Sequence, residues 1–192
     1  MNHYTVSVSV APAIEPVSLD EMKLHLRVDH SDEDTLIAAL ISAAREQAEA
    51  FTNRAFIEQT LILRLNKFPE VIKLPRPPLI SLTSIAYLDG SGVSQTLSSG
   101  LYRLGSSHEP ARITEAYGQT WPTTYDVEDA VTVTYKAGYG TAATSVPASI
   151  KAAIKLIVEA LYENRGDLSQ GITIQEIPMT SRSLLHPFKV WL

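Results

Sequence analysis

Two stretches of helical period, at opposite ends of the chain, bracket a long middle of strand period. The first stretch reads PVSLDEMKLHLRVD and then SDEDTLIAALISAAREQAEAFTNR (residues 16–54), and the second reads VPASIKAAIKLIVEALYENRG (residues 146–166). Between them TLILRL, LISLTSIAYL, LYRL and AVTVTYKA alternate or run apolar over short spans bounded by turn residues. A chain that changes period twice folds as an α+β protein. We expect a small helical bundle, made of N-terminal helices plus one C-terminal helix, with an inserted antiparallel β module and an extended C-terminal arm. The expected divisions are 1–58 for an N-terminal arm and the first helices, 59–137 for the β module, 138–170 for the third helix and 171–192 for the arm.

The helix signals are specific. Ser18 and Glu21 form an S-x-x-E capping box, and Val17 with Met22 supplies the hydrophobic staple. The pattern breaks at residues 27–30. Ser31 or Asp32 is then expected to cap a second helix, with Glu33 and Asp34 in its first turn, where the dipole favours negative charge. Its apolar stripe runs through Leu36, Ile37, Leu40, Ile41, Ala44, Ala48 and Phe51, and its alanines allow close approach of a neighbouring helix. Leu36, Leu40, Ala44 and Ala48 are the positions expected to pack against another subunit. Pro147 stands at the start of the third helix, whose stripe is Ile150, Ile154, Ile157, Val158 and Leu161, and Gly166 is a plausible cap at its end. In the middle, Asp89-Gly90-Ser91-Gly92 signals a hairpin, and Pro75, Pro77 and Pro78 mark a connection or an edge. The spacing suggests five or six short strands forming a small sandwich or barrel-like module.

Chemistry is sparse. The phosphate-loop, zincin, nucleophile-elbow and dinucleotide motifs are all missing, so no catalytic residue, metal ligand or cofactor site is assigned. Asp29, His30, Asp32, Glu33 and Asp34 resemble a ligand cluster, but they lack the glycine and terminal glutamate of a calcium loop, and helix capping accounts for most of them. The five histidines lie on different elements, and nothing positions a hydrolytic triad. Tyr117, Trp121 and Tyr125 could line a sugar or peptide groove, or simply cover the β module. A small-ligand or carbohydrate-binding module therefore stays open as an alternative, with an unrecognised hydrolase behind it. A net charge of −5 argues against a protein that grips phosphates. The absence of cysteine excludes disulfides and thiolate metal sites. No run approaches the ~20 apolar residues of a membrane span, and MNHYTVSVSV lacks a basic region followed by an apolar stretch, so no secretory leader is expected.

The chain ends SLLHPFKVWL (residues 183–192). Leu184, Leu185, Phe188, Val190, Trp191 and Leu192 either fold back into the chain's own core or dock on another subunit, with the tryptophan as anchor. The alternating Tyr4, Val6, Val8 and Val10 form a second arm able to reach a neighbour. Alanine-rich helices and apolar arms together point to assembly.

The ordered set PVSLDEMKLHLRVD, DEDTLIAALISAAREQAEAFTNRAF, LPRPPLISLTSIAYLD, VTVTYKAGYG and VPASIKAAIKLIVEALYENR resembles the head–tail connector (adaptor, or head-completion) family of tailed phages, which has relatives in gene transfer agents. The resemblance spans residues 16–165. It implies a homo-oligomeric ring, commonly of twelve copies, beneath the portal protein of a filled head. Such a ring receives the next neck, stopper or tail-completion protein below and lets packaged DNA through without specific binding. It also implies a structural virion protein of the neck, made in the bacterial host cytoplasm, with no enzyme activity, no cofactor and no membrane. The six apolar tail residues are then the expected portal contact.

Overall fold

The computed structural model describes residues 4–164 and 179–191. They divide into a helical unit (14–57, 140–164 and 179–191) and a β unit (4–13 and 58–139).

In the helical unit, α1 (Leu19–Leu26) starts at the expected capping box. The Ser18 hydroxyl accepts from the Glu21 N–H at 3.2 Å, and the Glu21 carboxylate accepts from the Ser18 N–H at 3.3 Å. Val17 and Met22 are fully buried beside it. Arg27 closes the helix in the left-handed region, donating its N–H to the Lys23 carbonyl. The next helix, α2 (Asp34–Thr52), departs from expectation at its start. Glu33 is the cap and makes no side-chain capping bond, and neither Ser31 nor Asp32 takes that role. The acidic cluster ahead of it is used in tertiary bonds: Asp34 accepts from Lys23 Nζ at 2.7 Å, and Glu33 accepts from the Tyr162 hydroxyl. Ile37, Ile41, Ala44 and Ala48 of α2 are buried, as are Ile150, Ala153, Ile154, Ile157 and Val158 of α3 (Ala148–Glu163), the helix it packs on. Pro147 caps α3, and Gly166 lies outside the described residues. Gly140 has φ +151°, and a Cβ there would meet the Ser145 hydroxyl at 2.8 Å, so that bend requires glycine.

The polar centre of this unit is on α2. Arg45 donates to Glu49 at 3.0 Å and to Glu15 at 2.8 Å, Ser42 donates to Glu15 at 2.8 Å, and the Phe56 N–H donates to Glu49 at 2.7 Å. Burial alone would push the Arg45 guanidinium down, but Glu49 and Glu15 outweigh it and the net direction is upward. The i, i+4 spacing of Arg45 and Glu49 was visible in the sequence, whereas the reach of Glu15 to Arg45 was not.

The β unit holds more strands than the spacing suggested. Its five-stranded antiparallel sheet has the order β1 (Tyr4–Val10), β2 (Gln59–Leu65), β8 (Val131–Ala137), β4 (Leu79–Leu88) and β5 (Ser94–Thr96). A three-stranded sheet has the order β3 (Val71–Leu74), β7 (Ala111–Glu115) and β6 (Tyr102–Gly105). Seven strands therefore lie between α2 and α3. Several are only three or four residues long, too short for alternation to reveal them.

The N-terminal segment, expected as a free arm, is an edge strand of its own chain. It runs from Tyr4 opposite Leu65 to Val10 opposite Thr60, with a register shift near Val8. The expected hairpin joins β4 to β5, and the Asp89 carboxylate accepts the N–H groups of Ser91 and Val93. The Gln95 side chain, with those two N–H groups, holds that carboxylate below its ordinary range.

Register sorts the side chains. Leu63, Val133 and Ile85 meet across the larger sheet on its buried face, and Ile72 meets Ile113 on the buried face of the smaller one. Tyr135, buried among them, donates its hydroxyl to the Pro75 carbonyl at 2.7 Å. Burial pushes its phenol well above the ordinary value, against the opposing effect of Arg76.

Candidate interaction surfaces

The chain's end is not extended over its described part. Residues Met179–Leu185 form α4, followed by one tight turn over His186–Phe188. Ser181 and Leu185, one turn apart, give this short helix a single buried side, and so short a helix holds only where a partner surface covers that side. That surface is the helical unit's own, because α4 packs on α3. Leu185 is fully buried and Val190 nearly so. The last residues are clipped to the end of α2: the Val190 N–H donates to the Thr52 carbonyl at 2.9 Å, Asn53 Nδ2 donates to the Val190 carbonyl at 3.0 Å, and Arg54 Nε donates to the Phe188 carbonyl.

The six tail positions therefore separate. Leu185 and Val190 serve the unit's own core, which corrects the expectation that the whole set is offered outward. Leu184 and Phe188 are half-buried, and Trp191 is 75% exposed. Leu192 lies outside the described residues. Trp191 is nevertheless held in place. Lys189 Nζ sits 4.5 Å from the Trp191 ring centre and 4.9 Å from that of Phe51, and the Arg182 guanidinium lies 5.5 Å from the Phe51 ring. A cation shared between two rings orients an exposed indole at low entropic cost. Lys189 and Phe51 lie too far apart in sequence for this contact to be read from spacing.

Of the four α2 positions expected to meet a neighbouring subunit, Ala44 and Ala48 are fully buried inside the helical unit. Their small size serves the close approach of α2 to α3 instead. Leu36 is 38% exposed and Leu40 half-buried, so only these two remain on an accessible flank.

The aromatics of the β unit stand in different settings, with Tyr125 48% exposed. Trp121 is half-buried and stacks on Phe68 at 4.9 Å between ring centres, with Tyr87 edge-on to Phe68 at 5.6 Å. Tyr117 stands 98% exposed. Of the histidines, His25 faces Glu159 at 3.2 Å. Among the described residues no group of three or more histidine, aspartate or glutamate side chains is placed to hold a metal, and no helix is long and apolar enough to cross a membrane.

Comparison with known proteins bears on these surfaces. Residues 16–87 match the family described as Phage gp6-like head-tail connector protein. This span starts just before α1 and ends within β4, so it contains both N-terminal helices and the entry into the β unit. The match covers that stretch alone, less than half of the 192 residues.

Solved structures extend the likeness in fold to nearly the whole chain. A chain in the "Neck of empty GTA particle computed with C6 symmetry" is 24% identical, with a TM-score of 0.81 over 98% of this chain and 96% of that one. Chains in the "Virion of native gene transfer agent (GTA) particle" and in the "Neck of native GTA particle computed with C12 symmetry" are each 22% identical over the same shares, with TM-scores of 0.80 and 0.78. At this identity the likeness speaks to the fold. No curated protein matches the sequence.

Proposed function

We propose that this chain is a structural subunit of the neck of a tailed phage or gene-transfer-agent-like particle. Copies of it form a ring beneath the portal, join the DNA-filled head to the next neck, stopper or tail-completion protein, and leave a passage for DNA. The observation that carries this reading is the connector-family match over residues 16–87, set in a fold whose full length parallels chains of a particle neck. Such a protein acts through contacts and not through turnover, so it needs neither catalytic residue nor cofactor. A chain of net charge −5 suits a passage that does not hold the phosphate backbone.

On this reading the portal contact is centred on Trp191, flanked by Leu184 and Phe188, with Leu185 and Val190 holding the platform from behind. Deleting the tail would remove that platform along with the contact, so the informative variant is Trp191→Ala. Its ring is mostly solvent-exposed, and a surface substitution of this kind changes stability by at most about 0.5 kcal/mol. A buried aromatic anchor at an interface is worth about 2 kcal/mol or more, and repetition around a ring multiplies the loss. The purified variant, mixed with portal-bearing heads lacking their own connector, is expected to fold normally and attach poorly. Full attachment by Trp191→Ala would remove Trp191 from the contact. Failure of the wild-type chain to attach would overturn the connector reading itself.

A further inference from the structure

The solvent face of the small sheet inverts the sign of the chain's charge. The register sets Lys73 opposite Arg112 and Arg103 opposite Thr114, and strand alternation sends Lys73, Arg103 and Arg112 out of the same face, away from buried Ile72 and Ile113. All three cations are exposed, and none makes an ion pair among the described residues. Like charges directly opposite on a sheet are destabilising. The isolated face thus carries a repulsion that an anionic surface would relieve.

The complement is on the same chain. Residues 126–129, just ahead of β8, hold Asp126, Glu128 and Asp129, all exposed. Asp129 lies 3.9 Å from Arg64, while Asp126 and Glu128 have no ion pair among the described residues. Thr5, Asn66, Glu128 and Asp129 line an open concavity. Thr5 and Arg64 stand on the face of the larger sheet opposite buried Leu63, and Leu63 lines one pocket with Ile72 of the small sheet. The acidic loop, beside Thr5 and Arg64 of the larger sheet, and the cationic face of the small sheet are thus separate patches on the β unit.

We propose that these are the two halves of a head-to-tail contact between copies of this chain, with the cationic face of one β unit seated on the 126–129 loop of the next. The proposal rests on the ring reading above and supplies its subunit contact. Two different, complementary patches make a heterologous interface, the kind that repeats around a ring and closes when the rotation permits. A nucleic-acid backbone is the other anion such a face fits. The second copy is favoured because the chain itself offers exposed Asp126, Glu128 and Asp129 to match the three cations, whereas DNA entering a ring of these units would also meet those carboxylates.

Three full-length variants test the contact: Arg103→Glu with Arg112→Glu, Asp126→Lys with Glu128→Lys, and the fourfold combination. Circular dichroism checks the fold, and the readouts are occupancy on portal-bearing heads and carbodiimide cross-linking on those heads with isotopically mixed copies. Each double reversal should lower occupancy about tenfold or more, since facing like charges oppose binding strongly. The fourfold swap should restore most of the loss, and so should mixing the two double variants. Wild-type rings should give a cross-link from Lys73 to Asp126 or Glu128 between differently labelled copies. Full occupancy by both double variants overturns the interface and leaves the connector reading intact, as does failure of the swap to rescue. Reversals that spare occupancy but change DNA retention overturn it in favour of a nucleic-acid face. If the wild-type chain joins no head, the connector reading falls and this contact with it.

Discussion

In the helical unit Arg45 and Glu49 are bonded at 3.0 Å with only 8% and 3% of their side chains exposed, whereas in the β unit Lys136 and Glu58 are bonded at 2.8 Å with 44% and 25% exposed. The geometry is alike and the setting is not. The helical unit has threaded a charged network through its packing surface, tying together the segment before α1, the middle of α2 and the residues after it through Glu15, Arg45, Glu49 and the Phe56 N–H. The β unit keeps its charges outside and fills its interior with Leu61, Leu63, Ile72, Ile85, Ile113, Val131 and Val133. A buried ion pair contributes modestly while intact and costs heavily when halved. A purely apolar core degrades in proportion to the volume removed. The two units should therefore fail differently.

The largest effect is expected from Glu49→Ala. It leaves Arg45 without its most buried partner and the Phe56 N–H without its acceptor, at a cost of roughly 3–5 kcal/mol. Hydrogen exchange should show faster opening of α2 amides, with β8 amides unchanged. Equal acceleration in β8 would mean that the units do not fail separately. Ile113→Ala is the counterpart in the β unit, a fully buried side chain at the central strand of the small sheet, and should cost about 3 kcal/mol. Its signature is the reverse, with β7 and its neighbours opening while α2 stays protected.

The two units also differ in how much of them the sequence disclosed. The capping box at Ser18 and the long strands β2, β4 and β8 follow from local pattern, because a cap is a four-residue matter and alternation over seven or more residues names a face. The start of α2 was misplaced because four acidic or capping residues crowd residues 31–34, and tertiary bonds to Lys23 and Tyr162 decided among them. The tail was the hardest to place. Its apolar residues suit a core or a partner equally well, and only the bonds of Val190 and Phe188 to the end of α2, with the burial of Leu185 and Val190, show which of them the chain's own core takes. Ala44 and Ala48 illustrate the same ambiguity on a helix, since a small residue permits close approach without saying whose surface approaches. The cationic sheet face is a matter of register, and pairing between strands separated by residues 106–110 in one case and 75–110 in the other is not written in any one of them.

Tyr135→Phe probes a buried hydroxyl in a β core that, among the described residues, is otherwise apolar but for Gln59. The substitution leaves the Pro75 carbonyl without its donor and should cost about 1–3 kcal/mol at neutral pH. Its pH dependence carries a further sign. The folded phenol titrates above its ordinary value of 10.0, chiefly because burial disfavours the anion, so its contribution is fully present below pH 10 and is lost as pH rises beyond it. Wild-type stability should fall more steeply than that of Tyr135→Phe above pH 10, measured by denaturant titration across that range. Parallel slopes would show that the phenol ionises in the fold as freely as in the unfolded chain.

The smallest effect is expected from Lys136→Ala, which removes the β unit's exposed ion pair with Glu58. Water already solvates both partners, the attraction is screened, and ordering two long side chains offsets much of what remains, so the cost should be about 0.2–1 kcal/mol. Salt separates this pair from its buried counterpart. Raising the ionic strength from about 0.01 M to 1 M shortens the Debye length from about 30 Å to 3 Å, and should erase most of the difference between wild type and Lys136→Ala. The same change should leave the difference between wild type and Glu49→Ala nearly intact, because that carboxylate is out of reach of the ions. A Lys136→Ala penalty that persists in high salt would place its origin in the packing of the lysine stem along β8, and the contrast between an inward-charged and an outward-charged unit would then rest on Glu49 alone.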